Sequence, residues 1–176
     1  LESLQKQIAN IERRAKSGTP EIKAQFAYME QIKKALEEGK PARSIPVGNE
    51  DEARWMKQCA LLTSKPVLFV CNVNEEDAAT GNEWTKKVEA LAVQQGSQAV
   101  VISAAIESEI AQLTTPQEKK EFLDTLGLEE SGLDKIIKAG YTLLKLQTYF
   151  TAGPKEARAW TVRTGAKAPE AAGAIH

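Results

Sequence analysis

The sequence predicts an α/β chain in which a helical hairpin is followed by a strand–helix–strand unit and then by a short β-hairpin. Three observations carry that expectation. Apolar residues recur at spacings of three and four from Leu1 to Leu36, the period of amphipathic helices. Two unbroken apolar runs, Val67–Cys71 and Ala99–Ile102, flank another stretch of helical period. Near the end, Gly153-Pro154 separates two stretches with the alternation and composition of strands.

The first helix rests on Leu1, Leu4, Ile8, Ile11 and Ala15, which share one face and stop at Ser17-Gly18. Thr19 then stands as N-cap, with Pro20 at the first helical position where a missing N–H costs nothing. The second stripe is Ile22, Phe26, Met29, Ile32 or Lys33, and Leu36, closed by Gly39 and Pro41. A turn this short brings the two helices antiparallel, each stripe buried against the other. The hairpin tip carries Arg13, Arg14, Lys16 and Lys23. It reads either as a solvated helix end, where cations suit the C-terminal dipole, or as a contact for RNA phosphates. After a connector broken by Pro41, Pro46 and Gly48, a third helix is expected from about Asp51 to Leu62, with Trp55 and Cys59 facing inward.

The runs Val67–Cys71 and Ala99–Ile102 have no polar alternation, as expected of parallel strands covered on both faces by helices. Between them, Glu83 to Gln95 reads as a helix with Trp84, Val88 and Leu91 on one face. In such units ligands bind beyond the carboxyl ends of the strands. The residues there are Asn72-Val73-Asn74-Glu75 after the first strand and Ser103-Ala104-Ala105 after the second. An Asn side chain offers a donor and an acceptor, so it can fix a loop or read a base edge; a carboxylate accepts only and favours bases presenting N–H groups. Backbone N–H groups after Ser103 could receive a ring carbonyl or nitrogen. The plainer reading makes Asn72 a strand-end turn residue and Ser103 a helix cap. Farther on, Thr115 with Glu118 forms a capping box for a helix to Thr125, and Gly127 closes it. Ser131 with Asp134 repeats the pattern before Leu133, Ile136, Ile137, Gly140, Tyr141 and Leu144, the apolar face of the next helix. Thr148–Thr151 and Ala157–Val162 read as a β-hairpin, and Ala168–Gly173 as a short helix.

Composition bounds the function. Hydrophobic residues make up 42 % and charged residues 27 %, the balance of a soluble globular protein. No apolar run approaches the ~20 residues that span a bilayer, and the start, Leu1-Glu2-Ser3, has neither an initiator Met nor a signal-peptide layout. A membrane protein or secreted precursor is not expected. Cys59 and Cys71 read as a reduced pair in a cytoplasmic protein. With His176 the only histidine, no zinc ligand set or catalytic triad can be assembled. The net charge of −1 hides a pattern: basic residues outnumber acidic ones 11 to 9 over 1–64, acidic outnumber basic 13 to 8 over 65–146, and basic lead 4 to 2 over 147–176. None of these is strong enough to predict nucleic-acid binding alone.

In order and content these pieces resemble the Obg-like ATPases, the YchF family of P-loop proteins in the translation-factor class. The resemblance is carried by Leu62-Thr63-Ser64-Lys65-Pro66 running into Asn72-Val73-Asn74-Glu75, by Ser103-Ala104, and by Leu146-Gln147-Thr148-Tyr149-Phe150-Thr151-Ala152-Gly153-Pro154. Glu156, Arg158-Ala159-Trp160-Thr161, Ala168-Pro169 and Ala171-Ala172-Gly173 extend it. It implies that residues 1–64 are the family's coiled-coil hairpin insertion. Residues 65–146 would then be the C-terminal half of a P-loop NTPase domain, and 147–176 the start of a β-grasp TGS domain. The function implied is that of a cytoplasmic, ribosome-associated ATPase, monomeric when intact, that binds and hydrolyses ATP in preference to GTP. Implied partners are the large ribosomal subunit and RNA.

The resemblance also implies that Asn72, Val73, Asn74 and Glu75, with Ser103 and Ala104, frame the base. GTPases of this class carry Asn-Lys-x-Asp, whose Asp accepts from guanine; here Val73 stands in the Lys position and Glu75 in the Asp position. The longer carboxylate and the lost Lys stem remove features that guanine needs. No G-x-x-x-x-G-K-[ST] phosphate loop occurs in the sequence, and the family's Mg²⁺ ligands precede the coiled coil. This chain alone is therefore expected to hydrolyse nothing. An alternative reading is a non-enzymatic RNA- or protein-binding coiled-coil and TGS module. Half of a P-loop domain is also expected to leave strand edges and an apolar sheet face uncovered.

Overall fold

A computed structural model describes residues 1–175; His176 lies outside the described residues. The chain divides into two compact units, Leu1–Pro66 and the residues from Val67 onward.

The first unit holds α1 (Glu2–Ala15), α2 (Pro20–Glu37) and α3 (Glu50–Gln58). Leu4 and Ile8 of α1 are buried with Tyr28, Met29 and Ile32 of α2, so the two stripes meet as their spacing predicts. Leu1, at the open end, is exposed. Trp55, Met56, Cys59 and Leu61 complete this core, and the Trp55 ring lies 6.2 Å from that of Tyr28. The Tyr28 hydroxyl donates to the Pro46 carbonyl at 3.3 Å, which holds the connector against α2. Asn49 caps α3 by accepting the Glu52 N–H at 2.9 Å. The helix expected to reach Leu62 ends at Gln58, because Ala60 takes a left-handed φ of 51° and breaks the ladder. A single 3₁₀ turn then runs from Leu62 to Ser64.

The second unit begins with β1 (Leu68–Asn72), α4 (Glu83–Gln94) and β2 (Gln98–Ile102). The strands pair in parallel, Leu68 opposite Gln98 and Asn72 opposite Ile102. Then come α5 (Ala104–Ile110), α6 (Pro116–Thr125) and α7 (Gly132–Leu144), the last packed on β2. Ala78, Ile106, Ile110 and Leu128 form the buried cluster of this unit, with Phe122, Leu123 and Leu126 against it. Strands β3 (Leu146–Ala152) and β4 (Ala157–Arg163) pair antiparallel around the Gly153–Glu156 loop, and α8 (Ala168–Gly173) follows. The Tyr149 hydroxyl donates to the Ala171 carbonyl at 2.6 Å and seats α8 on the hairpin.

Three expectations about faces need correction. The α4 face of Trp84, Val88 and Leu91 is largely open, with Trp84 68 % exposed. The residues buried from α4 are Thr85 and Ala92, small enough to let the helix approach the two-stranded sheet. On α7, Leu133, Ile137 and Leu144 are likewise exposed, while Ile136, Gly140 and Tyr141 are half-buried. Val70 in β1 is 45 % exposed, so this strand is not covered on both faces. Open apolar side chains on a sheet and its helices follow from having only two strands to cover them.

Candidate functional site

Because β1 and β2 run parallel, their carboxyl ends lie side by side, and the loops leaving them meet. Asn72 ends β1, and its Oδ1 accepts the Ala104 N–H at 2.9 Å. The Val73 N–H donates to the Ile102 carbonyl at 2.9 Å. These two bonds join Asn72-Val73 and Ser103-Ala104 into one wall. Of the two roles open to Asn72, loop fixing is the one its Oδ1 fills; its Nδ2 meets no partner among the described residues. Of the backbone N–H groups after Ser103, that of Ala104 is thereby taken.

Asn74 and Glu75 continue into a 3₁₀ turn over Glu75–Asp77, where the Asn74 carbonyl accepts the Asp77 N–H at 3.1 Å. Glu75 is exposed, and its carboxylate has no partner among the described residues. Ser103 is 3 % exposed and occupies the N-cap position of α5, yet its hydroxyl caps nothing and has no hydrogen-bond partner. Its carbonyl accepts the Glu107 N–H at 3.0 Å. An unpartnered buried hydroxyl costs about 1–3 kcal/mol, so this is a group that a bound molecule or a shift of the loop can satisfy.

Two open hollows flank this wall. One, of about 550 Å³, is lined by Asn72, Val73, Asn74, Glu75, Glu76 and Ala105. The other, of about 460 Å³, lies on the α4 side, with Asn72–Asn74 against Phe69, Cys71, Trp84 and Val88. Thus Asn72, Val73, Asn74 and Glu75 share one hollow, Ala104 is bonded to its rim, and Ser103 lies buried next to Ala104. Glu75, Glu76 and Asp77 make this rim acidic, which suits an edge presenting N–H donors and repels phosphate. Burial pushes the Cys71 thiol above its ordinary value, and the Glu89 carboxylate adds to this, so its thiolate is disfavoured beside this hollow.

Sequence reasoning missed the groups that brace these loops. The Asp77 carboxylate accepts from Asn82 Nδ2 at 2.8 Å, while Asn82 Oδ1 caps α4 by accepting the Trp84 and Thr85 N–H groups at 3.0 and 3.1 Å. Gly81 is required there: it sits at φ +67°, and a Cβ would lie 2.4 Å from Thr85 Oγ1. The signal was available as Gly81-Asn82-x-x-Thr85, a capping box. The Glu107 carboxylate, in turn, accepts the Gly132 and Leu133 N–H groups at 2.6 and 3.1 Å, a link across 25 positions that no local pattern announces.

In the first unit, Arg13, Arg14, Lys16 and Lys23 are all exposed at the hairpin turn. Lys16 pairs with Glu12 at 3.5 Å, and no ion pair engages the other three among the described residues. Among the described residues no group of three or more His, Cys, Asp and Glu is placed to hold a metal, and no helix is long and apolar enough to cross a membrane.

Residues 146–176 match the family model YchF-GTPase_C, described as a protein of unknown function. Over 178 aligned residues the chain is 46 % identical to the ribosome-binding ATPase YchF of Bacillus subtilis, with 100 % of this chain and 48 % of the relative covered. It is 36 % identical to Obg-like ATPase 1 of Rattus norvegicus, with 92 % of this chain and 41 % of that protein covered. The solved structure of the Schizosaccharomyces pombe YchF GTPase superposes with a TM-score of 0.83 at 33 % identity, covering 99 % of this chain and 48 % of that one. The chain spans about half the length of the relatives it matches. Similarity in sequence and in fold runs along the whole chain, and on that ground it belongs to the YchF family of Obg-like ATPases.

Proposed function

We propose that this chain supplies the base-recognition wall and the docking elements of a ribosome-associated ATPase that binds and hydrolyses ATP in preference to GTP. The observation that carries the reading is the Asn72 Oδ1 bond to the Ala104 N–H, which brings the two loops to one hollow. In this reading Asn72, Val73, Asn74 and Glu75 frame one side of the base, and Ser103 and Ala104 the other. Val73 offers no Lys stem to cover a guanine ring, and Glu75 holds its carboxylate on a longer arm than Asp. Adenine needs neither feature, because it presents an N6 donor and an N1 acceptor and lacks the guanine N1–H.

Phosphoryl transfer needs a phosphate-cradling loop, a metal and an oriented water. The sequence contains no such loop, and the described residues assemble no metal ligands. Mg²⁺ is therefore assigned to the part of the family that this chain does not span, and the chain by itself is inactive. Residues 1–64 act in this account as a coiled-coil hairpin insertion, 65–146 as the C-terminal half of the nucleotide-binding domain, and 147–176 as the start of a TGS domain. The hairpin and the TGS start are the surfaces assigned to the ribosome, in the cytoplasm. The exposed cations Arg13, Arg14 and Lys23 favour a second reading, in which the hairpin binds RNA without nucleotide.

The test is a specificity switch. Val73→Lys with Glu75→Asp, in the protein at its full native length, moves the ATP-to-GTP affinity ratio toward GTP. An unchanged ratio contradicts the assignment of this hollow to the base.

A further inference from the structure

We infer that Glu107 is the positioning residue that holds the Ser103-Ala104 side of the base site in place, and that it does so by clamping the start of α7. The inference rests on the base-site reading above and deepens it.

Glu107 works with both ends of its structure. Its N–H donates to the Ser103 carbonyl at 3.0 Å, the first helical bond of α5, and so fixes the backbone that leaves β2. Its carboxylate reaches the other way. One oxygen accepts the Gly132 N–H at 2.6 Å and the other the Leu133 N–H at 3.1 Å. These are the first two N–H groups of a 13-residue helix, which have no partners of their own within it and sit at its positive end. A charged acceptor engaging two such donors is among the stronger links a side chain can make to backbone.

The packing around the clamp has no slack. A Cβ on Gly132 would stand 2.7 Å from Ile102 Cγ2 and 2.9 Å from Glu107 Oε1. Ile102 is the residue before Ser103, so the absence of a side chain at 132 brings β2, Glu107 and α7 together at one point. Ser103 itself contributes no side-chain bond to its own position. Ala104 is tied to β1 through Asn72, and nothing but Glu107 ties this loop to α7 by a side-chain hydrogen bond among the described residues. Removing the carboxylate therefore frees the loop on the side away from Asn72.

A merely structural role for Glu107 makes a different prediction, and Ser131 separates the two. Ser131 also caps α7, its hydroxyl accepting the Asp134 N–H at 3.0 Å, but its side-chain hydrogen bonds go to Asp134 and not to the β2–α5 loop. The experiment measures ATP affinity by titration, together with thermal midpoint, for the full-length protein and its Glu107→Ala, Glu107→Gln and Ser131→Ala variants. Glu107→Ala weakens ATP binding at least fivefold. Glu107→Gln, which keeps one acceptor oxygen, falls between it and the parent. Ser131→Ala lowers the midpoint but leaves affinity within twofold. If Glu107→Ala binds ATP like the parent, or if Ser131→Ala weakens binding as much, the positioning role is wrong. If the parent itself binds no ATP, the base-site reading fails instead, and hydrogen exchange at the Ala104 amide still decides the clamp: faster exchange in Glu107→Ala upholds it, and unchanged exchange overturns it.

Discussion

Replacing Asn72 by Ala removes the one side-chain bond that joins the two loops of the candidate site. Its Oδ1 accepts the Ala104 N–H at 2.9 Å in an exposed setting, so a neutral hydrogen bond of about 0.5–1.5 kcal/mol net is lost. At 1.4 kcal/mol per tenfold, the Ala104 amide should exchange with solvent roughly 2- to 10-fold faster. The neighbouring Val73 N–H, bonded to the Ile102 carbonyl at 2.9 Å, does not use the Asn72 side chain and serves as the internal control. Residue-resolved hydrogen exchange on this chain is the assay. Asn72→Asp keeps an acceptor oxygen at the same place, so Ala104 should stay protected there. Equal Ala104 protection in Asn72→Ala and the parent would refute the link. Equal loss at Ala104 and Val73 would show general loosening, which the reasoning does not allow.

Three further outcomes are expected. Leu4→Ala, at a fully buried position between α1 and α2, should destabilise the first unit by about 2–5 kcal/mol in denaturant unfolding, and a loss below 1 kcal/mol would mean the stripes do not meet as described. Backbone N–H bonds from Thr115 and Thr114 hold the Glu118 carboxyl below its ordinary 4.5, so the cap of α6 is fully formed above that value and is lost as pH falls through the depressed one. NMR titration of Glu118 should give a midpoint under 4.5, and a midpoint at or above it would contradict the capping box. Burial raises the Cys59 thiol and leaves it 2 % exposed, so an alkylating reagent at pH 8 should modify the half-buried Cys71 first. Faster modification of Cys59 would place it outside the core.

Much of the secondary structure was legible because its signals are local. The period of Leu4, Ile8, Met29 and Ile32 predicts a buried seam, and those four side chains are buried. Thr115 with Glu118 predicts a capped helix, and both reciprocal bonds are present. The β3–β4 hairpin and α8 likewise form where the sequence predicts them. Where the signal was missing, the expectation failed for a reason that can be named. Nothing at Ala60 marks a left-handed residue, since Ala disfavours that conformation, and the end of α3 was therefore misplaced. The seven residues of α5 have no side-chain cap and too few turns to show a period. Trp84 and Leu91 have the spacing of a core face but lie open, because periodicity says which residues share a face and not whether another surface covers it.

The candidate site divides along the same line. Its two loops could be read from the strand ends, because chain direction in a parallel pair decides where the loops go. The bonds that make them one wall could not. Asn72 to Ala104 spans 32 positions and Glu107 to Gly132 spans 25, and only the fold brings those partners together. Ser103 shows the reverse case. Its position suggested a cap, and the structure leaves the hydroxyl buried and unmatched.

The central claim is that the hollow bordered by Asn72, Val73, Asn74 and Glu75 receives an adenine base. Titrating ATP and GTP, each with Mg²⁺, into the protein at its full native length tests it most directly. The account predicts tighter binding of ATP, with the preference reduced by Glu75→Asp combined with Val73→Lys. Equal affinity for the two nucleotides, or binding of neither, would contradict it and leave the basic end of the helical hairpin as the functional surface.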